Sequence, residues 1–257
     1  MASDTWDPDQ YQRFRDERSQ PFLDLLALVK PRAGMRALDL GCGTGELTRL
    51  AHERLGAAET LGIDSSEAML RRAAQVEGGG LRFEKGDLAA AGGHWDLVLS
   101  NAALHWLPDH ARLVPRLGGL LRPGGQLAVQ VPDNHDHPSH RVARETGEEE
   151  PFRSALGGWR KERTVLAPEA YAELLFAAGL RDLHVSLRVY AHVLAGPAEV
   201  VEWVKGTLLN DWKERLPAAL YEPYLARYRQ RLLAELPDTH PFLFTFRRVL
   251  FAGTRPA

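Results

Sequence analysis

Ala37-Leu38-Asp39-Leu40-Gly41-Cys42-Gly43-Thr44-Gly45-Glu46-Leu47 decides the reading of this chain: an apolar strand runs straight into three glycines, each separated from the next by one residue. A strand entering a helix through so tight a turn is expected to point backbone N–H groups outward, and residues without a Cβ let a ligand reach contact distance with that backbone. The stretch therefore predicts a cofactor site at a strand-to-helix junction. A dinucleotide-binding loop spaces its glycines as G-x-G-x-x-G. Here Gly45 follows Gly43 after a single residue, and the spacing argues against a nicotinamide dehydrogenase.

Outward from this loop, apolar runs alternate with helical periodicity. An amphipathic helix over 11–29, with Phe14, Phe22, Leu25, Leu26 and Val29 on one stripe, precedes the loop and stops before Pro31. Strands are expected at 35–40, 60–63, 81–85, 96–100 and 126–131, with helices at 45–55 and 66–76, which is the rhythm of a parallel sheet. Ser66 is placed to cap the second of those helices. Gly78-Gly79-Gly80 and Arg122-Pro123-Gly124-Gly125 read as turns. Residues 133–163 are polar and rich in Glu, Arg and His, which predicts a loop-rich insertion over the carboxyl edge of the sheet. A helix over 168–178, a strand over 183–193, helices across 198–236 broken at Pro217 and Pro223, and a last strand over 242–252 complete the order. Together these predict a single α/β domain: an N-terminal lid helix (1–30), a cofactor-binding core (31–133), a loop-rich insertion (134–165), a helical substrate-side insertion (197–237) and a closing strand (242–254).

Composition excludes several functional classes. The 257 residues are 44% apolar, enough for a sizeable core. The lone cysteine, Cys42, permits no internal disulfide, and its place inside the glycine loop predicts close packing rather than reactivity. A formal net charge of -2 supplies no broad cationic field for nucleic acid. No window holds the roughly 18 apolar residues of a membrane span, and Met1-Ala2-Ser3-Asp4-Thr5-Trp6-Asp7-Pro8 has neither an apolar nor a basic leader. These features predict a cytoplasmic protein with a small-molecule partner, no nucleic acid, no membrane and no metal, and a monomer in preference to an obligate oligomer.

In an open sheet of this type, ligands lie across the carboxyl ends of the strands. Asp64 ends the second expected strand, where a carboxylate accepts hydrogen bonds from a ribose diol; its alternative role is to cap the helix that follows. Asp87, in Lys85-Gly86-Asp87-Leu88, is placed to accept from an adenine amino group or to serve a plain turn. Asp39 lies inside a strand, and an unpartnered buried carboxylate costs several kcal/mol, so it requires a partner. Ser100 and Asn101 end the fourth strand, followed by His105 and Trp106, which suit substrate binding, cofactor orientation or core packing.

The short glycine spacing resembles that of S-adenosylmethionine-dependent methyltransferases. Three further segments extend the resemblance along nearly the whole chain: Trp6-Asp7-Pro8 with Tyr11, Phe14, Glu17-Arg18-Ser19 and Pro21; Gly62-Ile63-Asp64-Ser65-Ser66 with Ala68-Met69-Leu70; and Asn101-Ala102-Ala103-Leu104-His105-Trp106-Leu107-Pro108-Asp109-His110. With Leu121-Arg122-Pro123-Gly124-Gly125 and Gln130-Val131-Pro132-Asp133-Asn134, the chain resembles the trans-aconitate methyltransferases, within the class I group of these enzymes.

That resemblance implies a Rossmann-like class I sheet, mostly parallel with an antiparallel last strand, plus a helical insertion over the active site. It implies S-adenosylmethionine as cofactor and S-adenosylhomocysteine as product, with Asp39, Gly41, Cys42, Gly43, Gly45, Asp64, Ser65, Met69, Asp87, Leu88, Asn101, Tyr11 and Arg18 on the cofactor. Asp39 would order the loop or reach the methionine amino group, and Asn101 would lie beside the methionine moiety. The implied reaction is methyl transfer to a carboxylate of trans-aconitate or a related acid, which calls for no catalytic base; His105 is the candidate positioning residue. Trp6, His105, Trp106, Asn134, Tyr190, His192 and Arg248 are the expected substrate contacts. Arginine reads planar carboxylates best, and Arg18, Arg141, Arg144, Arg160, Arg247 and Arg248 are the candidates. The chain departs from the family pattern at Leu208-Leu209-Asn210-Asp211, where an arginine gives way to Asn210, and at Phe246-Arg247-Arg248. A different O-, N- or C-acceptor, with His105 or His192 as base, and an inactive cofactor-binding module are the alternatives.

Overall fold

Seven strands form: β1 (Arg36–Leu40), β2 (Glu59–Asp64), β3 (Leu81–Lys85), β4 (Trp95–Asn101), β5 (Leu121–Pro132), β6 (Arg181–Leu194) and β7 (Phe242–Thr254), of which β1, β4 and β5 are apolar and mostly buried. They form one sheet in the order β3-β2-β1-β4-β5-β7-β6. The computed structural model describes the backbone from Arg15 and the side chains from Ser19 to the end of the chain. Strands β1 to β5 pair in parallel, and β7 runs antiparallel to β5, with Gln126 opposite Thr254 and Pro132 opposite Arg248. The chain leaves β1 toward β2 on one side and returns to β4 on the other, so the connections diverge between β1 and β4. Ligand crevices form at such a switch point.

The helices are α1 (Arg15–Leu26), α2 (Glu46–Leu55), α3 (Glu67–Ala73), α4 (His110–Gly119), α5 (Pro138–Gly147), α6 (Phe152–Ala155), α7 (Pro168–Ala177), α8 (Ala198–Lys205), α9 (Asn210–Arg215) and α10 (Ala218–Glu235). Two compact units are formed. In the unit comprising Asp16–Asp133, Thr164–Arg188 and Arg247–Ala257, alternate residues of each strand enter different cores. Phe22, Leu25 and Leu26 of α1 and Ala51 and Leu55 of α2 pack with Ala37, Leu97, Leu99, Ala128 and Leu250. Leu113, Val114 and Leu117 of α4 and Tyr171 and Leu175 of α7 pack with Leu38, Leu40, Val98, Val129 and Phe251. Full burial of each such leucine or valine contributes about 1.5–3 kcal/mol. Tyr171 stacks on Phe251 with centroids 4.3 Å apart.

The second unit contains Asn134–Arg163 and Val189–Phe246. Its core is aromatic: Trp203, Trp212, Tyr224, Tyr228 and Phe244 are buried together, with Trp212 stacked on Tyr224 at 5.7 Å. The buried phenols are satisfied, Tyr224 Oη donating to Ala143 O and Tyr228 Oη to Ser139 O.

The loop-rich insertion over 133–163 also carries α5 and α6: His137 caps α5 with Pro138 in its first turn, Val142, Ala143 and Thr146 face the core, and Arg141 and Glu145 pair with α10. Two sequence expectations are corrected. Pro223 does not break α10; the buried stripe of Tyr221, Tyr224, Tyr228 and Leu232 outweighs one lost backbone hydrogen bond. Arg122-Pro123-Gly124-Gly125 lies within β5, where the pairing with β4 shifts register between Trp95 and Leu97 and the segment bonds instead to Arg255. The break at Pro217 and the other strands and helices follow expectation to within a few residues. Among the described residues, no helix is long and apolar enough to cross a membrane.

Candidate active site

The glycine loop joins β1 to α2 with Gly41, Gly43 and Gly45 all at positive φ, +83°, +54° and +78°. Two of the three positions leave no room for a side chain. A Cβ on Gly41 would overlap that of Ala103, and one on Gly45 would stand 2.6 Å from Phe83 Cζ. At Gly43 a Cβ would meet nothing within 4 Å, so this is the open side of the loop.

Four of the loop's N–H groups are already bonded, against the sequence expectation that they point outward. Gly41 and Cys42 donate to Ile63 O, Gly43 donates to Asp64 Oδ2 at 2.9 Å, and Gly45 donates to Cys42 O. With these four N–H groups committed, the loop has few donors left with which to cradle a phosphate. A cofactor with an adenosine and no phosphate fits such a loop.

Asp64 closes β2 and ties the loop down, with its second oxygen accepting from Ser66 N at 2.9 Å. A carboxylate accepts up to about four hydrogen bonds, so the same group can also receive a ribose diol. Ser66 caps α3 by accepting from Met69 N, Ser65 is exposed, and Met69 is buried. Asp87 is exposed and caps the short turn Leu88–Ala90 by accepting from Ala89 N at 2.8 Å; Leu88 is half-buried. Cys42 is buried and burial pushes its thiol up, in keeping with a packing role.

Asp39 finds its required partner in Thr48 of α2, whose Oγ1 donates to Oδ2 at 2.6 Å. Its other oxygen, Oδ1, is buried with no hydrogen-bond partner. Burial pushes the carboxyl up to about 6, against the lowering effect of Thr48 and with a further push from Asp64. Asp39 is opposite Leu99 in the β1–β4 ladder, so Asn101, two residues on, projects from the same face. Asn101 Oδ1 is likewise buried without a partner. Two unsatisfied acceptors at the switch point, one of them on a carboxylate, are the complement of an ammonium group. The next residue, Ala102, is held at φ +52°, a costly conformation for alanine, by its N–H bond to Gln130 O. Ser100 turns its hydroxyl away from this site, to Leu40 O at 2.7 Å.

His105 and Trp106 are half-buried in a short turn after β4, their rings 4.7 Å apart, and Thr164 Oγ1 donates to His105 O at 2.6 Å. Arg248 is buried and donates from Nη1 to Gln130 Oε1, whereas Arg247 pairs with Asp133 at 3.3 Å. In the helical unit Asn134 and His192 are buried, Tyr190 is half-buried, and the His192 ring lies 4.6 Å from that of Trp203. The other candidate arginines there serve structure: Arg141 pairs with Glu145 and Glu235, Arg144 donates to His135 O, and Arg160 pairs with Glu148. The charge of Asp211 is taken up by Lys161 and Arg215, so the departure at Asn210-Asp211 leaves no uncompensated acid. Trp6, Tyr11 and Phe14 lie outside the described residues, as does the side chain of Arg18.

Sequence reasoning missed Thr48, Gln130 and the strain at Ala102. Gln130 carried a signal, as a polar residue at a core-facing position of Leu127-Ala128-Val129-Gln130-Val131; a partner nine residues away in the next helix carried none.

Residues 11–185 match the family model for a methyltransferase domain. A protein of Deinococcus radiodurans named trans-aconitate 2-methyltransferase is 48% identical over 98% of this chain and 99% of its own length. One of the same name from Streptomyces avermitilis is 41% identical, covering 100% and 99%. Among solved structures, a putative methyltransferase in complex with the Haloferax volcanii Trm112 activator superposes with a TM-score of 0.56 at 20% identity, over 98% of this chain and 95% of that one. Phosphoethanolamine N-methyltransferase 2 of Haemonchus contortus, solved with S-adenosyl-L-methionine, gives 0.55 at 18% identity over 93% and 53%. Both share the fold.

Proposed function

This chain belongs to the trans-aconitate 2-methyltransferase family, and on that premise we propose that it forms a methyl ester on one carboxylate of trans-aconitate or a related polycarboxylic acid. The observation that carries the reading is the pair of buried, unpartnered acceptor oxygens on Asp39 and Asn101, beside a loop in which four N–H groups are already bonded. When bound, S-adenosylmethionine supplies an electrophilic methyl group on a sulfonium centre. Asp64 would hold its ribose, Asp39 and Asn101 its ammonium group, and the open side at Gly43 its adenosine.

The chain has little bond chemistry to perform. A carboxylate is ionised above about pH 5, so no base need deprotonate the acceptor. The rate then comes from alignment and from keeping water out. His105 and Trp106 offer ring faces at the strand exit that suit a sulfonium, which attracts π-systems but forms no hydrogen bond.

Calorimetric titration with S-adenosylhomocysteine, followed by mass spectrometry of the acid products, tests the reading. Binding together with a monomethyl ester of trans-aconitate, at a kcat flat above about pH 6.5, is expected. A rate falling as pH drops through the histidine range would instead favour a base-assisted acceptor, and binding of NAD alone would overturn the cofactor assignment.

A further inference from the structure

The two oxygens of Asp39 are in unlike states. Oδ2 accepts from Thr48 Oγ1 at 2.6 Å, and Oδ1 is buried with no hydrogen-bond partner. Asp39 is 4% exposed in β1, and Thr48 is 0% exposed in the first turn of α2, on the far side of the glycine loop. A carboxylate is planar and rigid, so a bond that fixes one oxygen sets the place of the other.

Packing does not hold this carboxylate by itself. A void of about 10 Å³, room for about one water, borders Asp39 and Thr48 together with Leu97 and Leu99 of β4. Rotation of an aspartate about χ2 is soft, and the void gives the group space to turn. His52 and Thr60 also line the void but engage each other, His52 Nδ1 lying 2.8 Å from Thr60 Oγ1. The bond from Thr48 is what remains to fix the carboxylate. The same bond bears on its charge: burial disfavours the ionised form, Thr48 favours it, and Asp64 disfavours it. A carboxylate holds an ammonium more tightly than the neutral acid does.

We propose that Thr48 is a positioning residue for cofactor binding, whose hydroxyl, by holding Oδ2 of Asp39, sets Oδ1 to receive the ammonium group of S-adenosylmethionine. The proposal rests on the ammonium assignment made above. Thr48 acts through Asp39 and needs no contact of its own with the cofactor.

Thr48→Val keeps the shape of the side chain and removes the donor, whereas Thr48→Ser keeps the donor and removes a methyl group. By calorimetric titration, the Kd for S-adenosylhomocysteine should rise about tenfold in Thr48→Val and stay within about threefold of the wild type in Thr48→Ser, as the loss of a hydrogen bond to a charged group requires. A packing role would reverse that order. An unchanged Kd in Thr48→Val, or a serine variant as weak as the valine one, overturns the proposal. If a thermal melt shows that Thr48→Val is not folded, Thr48→Ala against Thr48→Ser makes the same contrast. In an Asp39→Ala background Thr48→Val should cost no further affinity, because the group it orients is gone; a further loss there also overturns the proposal. Asp39→Ala separates the two readings as well. Weak binding by Asp39→Ala with normal binding by Thr48→Val removes the positioning role alone, and normal binding by both removes the ammonium assignment.

Discussion

Gly43 donates its backbone N–H to Oδ2 of Asp64 at 2.9 Å, which makes the end of β2 and the middle of the glycine loop one structural element. Asp64→Ala removes a proposed ribose acceptor and the loop's tether together. The affinity for S-adenosylhomocysteine should fall about ten- to a hundredfold, the roughly 1.5–3 kcal/mol of a charged hydrogen bond. Calorimetric titration reads this directly, and an unchanged Kd would remove Asp64 from the site.

The glycines should separate folding from binding. A side chain at Gly45 collides with Phe83, so Gly45→Ala should lower Tm by several degrees. A Cβ at Gly43 meets nothing within 4 Å, so the main cost of Gly43→Val is the strain of positive φ, about 1–2 kcal/mol. It should fold and fail to bind S-adenosylhomocysteine. Thermal melts with and without that ligand distinguish the two.

Asp39 makes apo stability depend on pH. An unfolded aspartate loses its proton near 3.8 and the buried one near 6. Below both values the group is neutral in either state and the fold bears no charge penalty. As pH rises from about 4 to 6 the unfolded chain releases its proton first, and stability falls by about 2–3 kcal/mol. Asp39→Asn, which still accepts from Thr48, should escape that loss. Its Tm advantage over the wild type should open between pH 4 and 6 and hold constant above, while its affinity for S-adenosylhomocysteine drops.

Charges knit α5 to α10: Arg231 reaches Glu145 at 2.7 Å and Glu149 at 3.2 Å, and Arg227 grips Glu149 at 2.7 Å. All are partly exposed. Arg231→Ala should cost about 0.5–1 kcal/mol at low salt and less at 1 M. Denaturation at two ionic strengths measures it; equal losses at both would mean that packing of the arginine stem dominates.

The sheet was legible because its determinants are local. Alternating apolar runs marked the strands up to β5, and Gly41, Gly43 and Gly45 marked the turn from β1 into α2. The helical character of 133–163 was not legible, because α5 is held by charges that pair with a helix some 90 residues later, and a single sequence shows the charges without their partners. The same holds within the site. Asp64 announced itself by its position at a strand end, whereas Gln130 acquires meaning only when β7 brings Arg248 beside it.

The reversal of β7 has a practical side. From its middle residue on it lies beside β5, Arg248 opposite Pro132 at the end of that strand, while its last residues lie toward the beginning of β5, where Thr254 faces Gln126 and Gly124 N donates to Arg255 O. The carboxyl end of the chain thus emerges at the edge of the sheet opposite the glycine loop. A surface linkage made through the residues that follow Thr254 would sit at the end of the parallel strands away from the glycine loop, which suits the titrations above.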